Sequence, residues 1–291
     1  MSKEYEEKRG PRGADEHVGK RFPRERKSEE RVPMRERDAE ADGLIEGRNA
    51  VAEALRAGTP IDKIFIARGE TDKTLGHIAS TARAAGVVVV EADRRKLDAM
   101  SQTHAHQGVI ALCAVKEYST IEDMLAIAAE RGEAPFLVLC DEISDPHNLG
   151  AIIRTAECVG AHGVIIPKRR SAGLTAVVDK TSAGALEHMA VARVPNLAAA
   201  IETLKKNGLW IYGTAAEGAN ELWKTDLTGP ACIVIGSEGT GISRLVREKC
   251  DFLVSIPLRG QISSLNASAA AAVLLYEAEL SARTPYAIKR S

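Results

Sequence analysis

The chain of 291 residues has almost no net charge, few cysteines and no long apolar run. Lysine and arginine number 39 and aspartate and glutamate 40, so no overall positive field attracts nucleic acid, and an RNA partner would need local basic clusters. No apolar run is long enough to span a membrane, and the N-terminus is charged where a signal peptide is apolar. We therefore expect a soluble, cytoplasmic protein with no membrane partner.

The five cysteines lie far apart in the sequence and never form a CxxC pair. Most of them stand inside apolar runs, which is typical of reduced core residues in a cytosolic protein. His104 and His106 lie near a predicted loop, but they have no acidic partner and no ligand spacing. The sequence therefore predicts neither a disulfide framework nor a metal site.

The length suits two domains of ordinary size and an appendage. The first residues mix charges of both signs with few apolar side chains, which predicts disorder; the alternative is an RNA-attracting arm built on residues 21–27. The predicted segments are a charged tail at 1–43, a small α/β domain at 44–115, a linker helix at 116–134, a second α/β domain at 135–284 and a C-terminal tail at 285–291.

The second domain begins with the apolar run 136–140, which is typical of a central parallel strand. Further strands are predicted at 163–166, 191–194, 209–213, 231–235 and 252–256, and helices at 174–185, 197–207, 243–249 and after residue 266. This alternation predicts a parallel sheet with helices on both faces. Ligands of open α/β sheets bind beyond the carboxyl ends of the strands, so the loops there are the places to search.

The first such loop, 145–150, precedes a helix that carries Arg154. Asn148 stands where an N-cap belongs, and Gly150 and Ala151 are small enough to leave room for a substrate beside Arg154. An arginine on a helix is most often a solvated surface charge. The neighbours of Arg154 are largely apolar, however, which favours a functional role.

Two further loops offer small residues. The loop 213–218 follows a buried strand and could pack against a flat ring. The loop 236–241 has the glycine spacing GxxGxG, which is not that of a dinucleotide or phosphate loop, and on its own it predicts a tight turn. Glu238 in its middle would repel phosphate but could meet a cation or a hydrogen-bond donor.

The stretch 255–278 combines a strand end, a turn and an alanine-rich helix. Ser264 and Asn266 crowd the helix start, where they can cap free N–H groups or leave them to a ligand. The simpler interpretation is a capped core helix. The basic run Lys168, Arg169 and Arg170 follows the second strand of the domain, and it is either a solvated charge run or a set of phosphate contacts.

Three stretches together are more specific than each alone. They are NLGAIIRTAECVGAHGV (148–164), IVIGSEGTGI (233–242) and IPLRGQISSLNASAAAA (256–272). In this order they resemble the three motifs of the SpoU/TrmH-type RNA ribose methyltransferases of the SPOUT superfamily. The stretches IEGRNAVAEAL and HAHQGVIAL are similar to the L30e-like RNA-binding domain of the ribosomal-RNA branch, which includes the bacterial 23S ribosomal RNA guanosine 2′-O-methyltransferases.

The resemblance implies a trefoil-knotted α/β methyltransferase domain, S-adenosyl-L-methionine as cofactor, a homodimer and a ribose 2′-hydroxyl of RNA as acceptor. It implies cofactor contacts at Thr214, Ala215, Gly236, Ile256 and Leu265. It also implies a catalytic and substrate-facing set at Asn148, Arg154, Glu238, Ser264 and Asn266. Since a guanidinium is effectively always protonated, we expect Arg154 to lower the pKa of the hydroxyl or to clamp a phosphate, and not to act as the base.

Two other functions remain open at this point. One is 2′-O-methylation of transfer RNA by an enzyme of the same superfamily. The L30e-like domain favours ribosomal RNA instead, and 23S ribosomal RNA is the expected substrate. The other is a non-catalytic RNA-binding or ribosome-assembly protein on the same fold. The complete set of polar motif residues argues against a protein that has lost its activity.

Overall fold

The computed structural model describes residues 43–69, 72–215 and 219–283. Apart from Gly43, the predicted tails 1–43 and 285–291 lie outside the described residues. The described residues form two sheets, one of four strands and one of seven. None of the described helices is both long and apolar enough to cross a membrane.

The first sheet is mixed, with the strand order β1-β4-β2-β3. Its strands are β1 Leu44–Glu46, β2 Ile61–Ala67, β3 Val88–Ala92 and β4 Val109–Cys113, and its helices are α1 Arg48–Arg56, α2 Lys73–Ala84 and α3 Arg94–Met100. The pair β2–β3 is parallel, whereas β4 runs antiparallel to β1 and β2. The prediction of a small α/β unit is confirmed, but β1 was not predicted because three residues carry too little pattern; its pairing with β4 defines it.

Helix α4, Ile121–Arg131, connects the two sheets. The side chain of Thr120 accepts from the Asp123 N–H at 3.1 Å while the Asp123 carboxylate accepts from the Thr120 N–H at 2.8 Å, which is a capping box. Gly132 ends the helix with a φ of 66°. Local hydrogen bonds and one left-handed glycine thus fix both ends of the helix predicted within the linker 116–134. Met124 of α4 is fully buried against the second sheet, where its side chain occupies the space beside Gly163.

The second sheet has the strand order β7-β6-β5-β10-β8-β11-β9, and every neighbouring pair is parallel. Its strands are β5 Phe136–Cys140, β6 Gly163–Pro167, β7 Val191–Val194, β8 Trp210–Thr214, β9 Asn220–Glu221, β10 Ala231–Ile235 and β11 Phe252–Ser255. Its helices are α5 Pro146–Cys158, α6 Ala176–Ser182, α7 Ala185–His188, α8 Leu197–Lys206, α9 Arg244–Lys249 and α10 Ala267–Arg283. A 3₁₀ helix spans Leu222–Lys224.

Helices cover both faces of this sheet, as predicted. One buried cluster joins the sheet to α5, α6, α7 and α10, and the other joins it to α4, α8 and α9. The helix predicted at 174–185 is wrong in one respect. It divides into α6 and α7 because Ala183 and Gly184 take left-handed backbone angles, with φ of 52° and 88°.

Candidate active site

The carboxyl ends of β8, β10 and β11 surround a cavity of about 490 Å³. Its lining includes all five residues at which cofactor contacts were predicted: Thr214, Ala215, Gly236, Ile256 and Leu265. Ile235, Val254 and Leu274 add apolar surface, and Glu238 lies in the lining as well. A cavity of this size, lined by both apolar and polar residues, suits a small organic ligand, for which about 300–1,000 Å³ is typical.

The loop after β10 is a tight turn that also lines this cavity. Ser237 and Gly241 exchange backbone hydrogen bonds of 3.1 and 2.9 Å. A β carbon on Gly236 would collide with the backbone of Gly241 and Ile242, so only glycine allows the loop to fold back this closely. The tight turn expected from the glycine spacing and a place for a ligand are therefore the same structure.

A cluster of three polar side chains stands beside the cavity. The Asn148 Nδ2 donates to Glu238 Oε1 at 3.0 Å, and the Asn266 Nδ2 donates to Asn148 Oδ1 at 2.9 Å. The same Asn266 amide also donates to Glu238 Oε1. We call Asn148, Glu238 and Asn266 the motif triad, because each comes from a different one of the three sequence motifs. Glu238 and Asn266 are exposed and Asn148 is half-buried, so a substrate can reach the cluster.

The motif triad is supported by the start of α10. Asn266 Oδ1 accepts from the N–H groups of Ser268 and Ala269 at 3.0 and 3.2 Å, so Asn266 caps the helix, as predicted for this stretch. Glu238 Oε1 accepts from the Ala267 N–H at 3.2 Å. The positive end of the helix therefore stabilises the carboxylate in this position.

Two predictions for the first loop are wrong. Asn148 is not the N-cap of α5: Asp145 caps the helix by accepting from the His147 N–H at 2.8 Å, and Pro146 takes the first helical position. Asn148 lies one turn further on, so its side chain is available to Glu238 and Asn266. The space beside Gly150 does not hold a substrate either, because Thr181 and Val178 of α6 fill it.

Arg154 and Ser264 are not part of the motif triad in this chain. Arg154 is exposed and lies six residues after Asn148, about 9 Å further along the axis of α5. It makes no hydrogen bond or ion pair with the residues that the structure describes. Ser264 is exposed and lines the cavity. The structure thus brings three of the five predicted catalytic residues together and places a fourth at the cavity.

The basic run does not form one patch. Lys168 is half-buried, and its Nζ comes within 3.4 Å of the position that a β carbon on Gly86 would take in the first sheet's domain. Arg170 has a left-handed φ of 57° and pairs with Glu142 at 2.9 Å. Arg169 is exposed to solvent. Its binding of RNA, like that of its two neighbours, stays a prediction.

Asp141 supports the glycine loop beside the cavity, a role that was not predicted from the sequence. Its carboxylate is almost completely buried and accepts from the Ser243 N–H, at the start of α9, at 2.6 Å. Its own N–H donates to Ile235 O at 2.8 Å. Asp141 therefore ties the end of β5 to both ends of the glycine loop. The signal in the sequence is an acid directly after the apolar run FLVLC.

All five cysteines are free. Cys140 and Cys232 are buried, and Cys158 is exposed. Burial, with the nearby Asp141 carboxylate, raises the pKa of Cys140 to about 12. Burial likewise raises the pKa of Cys232. Both thiols therefore stay protonated at neutral pH, which agrees with the predicted role of reduced core residues. The expectation that His106 has no acidic partner is wrong, because its Nε2 lies 2.9 Å from Asp98 Oδ1. The described residues nevertheless contain no group of three or more metal-ligating side chains.

Two family models and several known proteins are similar to this chain. The family model for the SpoU rRNA methylase family matches residues 135–276, and the model for RNA 2′-O ribose methyltransferase substrate binding matches residues 44–119. A relative in Bacillus subtilis (strain 168), YacO, carries the name of a TrmH family tRNA/rRNA methyltransferase. It is 46% identical over 231 residues, which cover 79% of this chain and 92% of YacO.

The chain belongs to the SpoU rRNA methylase family. A TrmH family tRNA/rRNA methyltransferase of Staphylococcus aureus (strain MSSA476) is 45% identical over 236 residues, 81% of this chain and 95% of that protein. The predicted family is confirmed, and with it the prediction of an RNA methyltransferase. We refer to residues 44–119 from here on as the substrate-binding domain and to residues 135–276 as the methylase domain.

Solved structures agree with the fold. The SpoU methyltransferase AviRb from Streptomyces viridochromogenes, crystallised with AdoMet, is 26% identical and matches with a TM-score of 0.51 over 85% of this chain and 93% of AviRb. An AdoMet-bound rRNA methyltransferase from Sinorhizobium meliloti matches with a TM-score of 0.52 at 24% identity, over 84% and 89% of the two chains. The predicted α/β class is confirmed, and the trefoil knot stays a prediction.

Proposed function

We propose that this chain transfers a methyl group from S-adenosyl-L-methionine to a ribose 2′-hydroxyl of RNA, most specifically a guanosine of 23S ribosomal RNA. The observation that carries the proposal is the motif triad standing beside a cavity whose lining includes all five predicted cofactor residues. The family match for 2′-O ribose methyltransferase substrate binding supports the acceptor. The AdoMet bound by AviRb supports the methyl donor.

The residues present fit that donor. The cavity offers apolar walls at Ile235, Val254 and Leu274 and backbone groups at Gly236 and Ala215, which suit an adenine ring and an amino-acid tail. When bound, S-adenosyl-L-methionine supplies an electrophilic methyl group on a sulfonium. Transfer breaks the bond from carbon to sulfur, forms the bond from carbon to the 2′-oxygen, and releases the hydroxyl proton.

The chain's own part in this reaction is to position the ribose. The amides of Asn148 and Asn266 are held by Glu238, so they present fixed donors and acceptors beside the cavity. Holding two reactants in line in this way can lower the activation barrier by several kcal/mol. Arg154 carries a permanent charge, so it lowers the pKa of the hydroxyl or clamps a phosphate; the proton goes to another acceptor.

A homodimer belongs to the same proposal. On α10, Leu274, Leu275 and Ala278 are buried, whereas Val273, Tyr276 and Leu280 on the opposite side are 38%, 54% and 49% exposed. Ile262 in the preceding loop is 76% exposed. An apolar stripe at spacings of three and four residues is what a second helix packs against. A second copy of the chain would cover it.

Labelled methyl transfer tests the function. The purified chain is incubated with radiolabelled S-adenosyl-L-methionine and, separately, transcribed 23S ribosomal RNA, transcribed 16S ribosomal RNA and transfer RNA. We expect label in 23S RNA at one position. The phosphodiester bond that follows the labelled nucleotide should resist alkali, because its 2′-oxygen is methylated. Label in transfer RNA alone would favour the alternative substrate. Cofactor binding without transfer to any of these RNAs would favour a non-catalytic binder.

Two asparagine variants test whether methyl transfer requires the motif triad. We expect Asn266→Ala to abolish most of the transfer. Asn207→Ala is the matched control, since Asn207 is an exposed asparagine of the same domain whose amide, among the residues that the structure describes, donates to Thr203 O alone, at 2.9 Å. It should transfer methyl groups at the wild-type rate. Equal activity of the two variants would overturn the assignment of the site.

A further inference from the structure

The last residues of the substrate-binding domain, 114–119, are hydrogen-bonded to both domains. The Ala114 N–H donates to Pro60 O, at 2.7 Å, within the first domain. The next N–H, of Val115, donates to Leu174 O of the methylase domain at 2.8 Å. Ser119 then donates to Val191 O at 2.8 Å and bridges to β7 in parallel. The chain therefore passes between the domains without a free tether.

Lys116 anchors the same segment through its side chain. Its Nζ donates to three carbonyl oxygens at the end of α7: Leu186 O at 2.7 Å, Glu187 O at 3.0 Å and Met189 O at 3.2 Å. Carbonyls at a helix C-terminus lack partners within the helix and attract a cation. The ammonium satisfies them and holds the segment against the methylase domain.

A buried ion pair connects the two domains directly. Asp62 of β2 accepts from Arg193 of β7 at 2.8 Å, and their side chains are 2% and 9% exposed. The Arg193 Nη1 also donates to the Asp62 backbone O at 3.0 Å. Tyr118 donates its hydroxyl hydrogen to Asp62 Oδ1 at 2.7 Å, and its oxygen accepts from the Leu174 N–H at 3.0 Å. We call Asp62, Tyr118 and Arg193 the interdomain triad.

The packing around the interdomain triad leaves little freedom. A β carbon on Gly173 would collide with the carboxylate of Asp62, so glycine is required by the close approach of the two domains. The Arg193 guanidinium lies 5.3 Å from the centre of the Tyr118 ring and donates to Lys168 O at 3.2 Å. Rotating one domain against the other would break these contacts and leave two buried charges without partners, which is strongly unfavourable.

We propose that Asp62, Tyr118 and Arg193 lock the substrate-binding domain onto the methylase domain in one orientation, and so act as positioning residues that determine which part of a long RNA reaches the cavity. This inference rests on the proposed function for its consequence, but not for the lock itself. A rigidly held binding domain presents its RNA at a fixed distance from the motif triad, whereas a flexible one samples many distances and lowers the effective concentration of the target nucleotide.

The lock is tested first without RNA. Two spin labels, one at Glu91 in the substrate-binding domain and one at Glu248 in the methylase domain, are used to measure the distribution of distances between the domains. Both side chains are exposed. The variant Asp62→Asn/Arg193→Met removes both charges together and leaves no unpaired one. We expect one narrow distance distribution for the wild type and a broad one for this variant.

A second variant tests the lock while both charges of the ion pair stay in place. Gly173→Ala inserts a methyl group against Asp62 and should also broaden the distribution. The matched control is Glu202→Gln/Lys249→Met, which neutralises an exposed ion pair within the methylase domain and should leave the distribution narrow. A narrow distribution in both lock variants, or a broad one in the wild type, would overturn the proposal.

Methyl transfer then separates positioning from a general structural role. With long 23S RNA we expect the lock variants to raise KM about tenfold, with kcat and cofactor affinity unchanged, because the target nucleotide visits the cavity less often. A fall of kcat together with a loss of cofactor affinity would show a structural defect and contradict the positioning role. If the wild type methylates no RNA, the proposed function fails, and the distance measurement still decides the lock.

Discussion

The motif triad and the interdomain triad are built in the same way but placed differently. Each centres on one carboxylate, Glu238 or Asp62, and each joins side chains that are far apart in the sequence. The first is exposed, so its hydrogen bonds can be exchanged for bonds to a substrate. The second is buried, so its partners are permanent. Burial, more than the residue types, therefore separates a polar cluster that can act on a ligand from one that holds the structure together.

The largest loss of stability should come from removing only one of the two buried charges. Asp62→Ala leaves the Arg193 guanidinium buried without a counter-ion, and we expect a loss of about 3–5 kcal/mol in the free energy of unfolding. Urea unfolding measures it. Glu202→Ala breaks the exposed pair with Lys249 and should change the free energy of unfolding far less. Similar losses for the two variants would remove the distinction that burial makes.

For the motif triad we expect a large loss of activity with only a small loss of stability. Glu238→Ala releases both asparagine amides, and we expect kcat/KM for methyl transfer to fall about 100-fold, as for a substrate held out of position. The free energy of unfolding should change by only about 1 kcal/mol, because water replaces the lost bonds. A variant with full activity, or one that unfolds as readily as Asp62→Ala, would contradict the comparison.

A smaller effect is expected when only one hydroxyl is removed. Tyr118→Phe takes away the donor to Asp62 and the acceptor for the Leu174 N–H while keeping the ring beside Arg193. We expect a loss of about 1–3 kcal/mol in unfolding free energy, the cost of buried groups left unpaired. The loss should be smaller than that of Asp62→Ala, because the ion pair survives. No measurable loss would mean that the hydroxyl does not belong to the buried cluster.

Glu46 is half-buried, between the exposed motif triad and the buried interdomain triad. Its substitution should have the smallest effect on stability. Burial alone would raise the pKa of Glu46, but hydrogen bonds from Ser101, Thr103 and Gln102 outweigh it and hold the pKa below its ordinary value of 4.5. A lowered pKa in the folded state means that the stabilisation is complete above about pH 4.5 and is lost as the pH falls through the folded value.

The measurement is the urea midpoint of the wild type and of Glu46→Gln at several pH values between about 6 and 3. We expect the advantage of the wild type to shrink as the pH falls. An advantage that is constant with pH would show that Glu46 stays ionised, or that its bonds contribute nothing.

Most of the secondary structure could be predicted from the sequence because its signals are local. The capping box of Thr120 and Asp123 and the stop at Gly132 are read within one turn of a helix, and the apolar run 136–140 identifies a buried strand by itself. The errors come where distant contacts decide. Two residues with left-handed angles divide the helix predicted at 174–185, and Gly150 was read as open space although α6 occupies it.

The sequence by itself determined the residue types at the site, the order of the three motifs and the helix and strand segments that carry them. Only the tertiary structure decided that Asn148, Glu238 and Asn266 form one hydrogen-bonded cluster while Arg154 lies apart from it in the same chain, and that Asp62 and Arg193 meet across two domains. The physical reason is that local propensity acts over a few neighbouring residues. The partners of a side chain depend on how the sheets and helices pack, which no short stretch of sequence records.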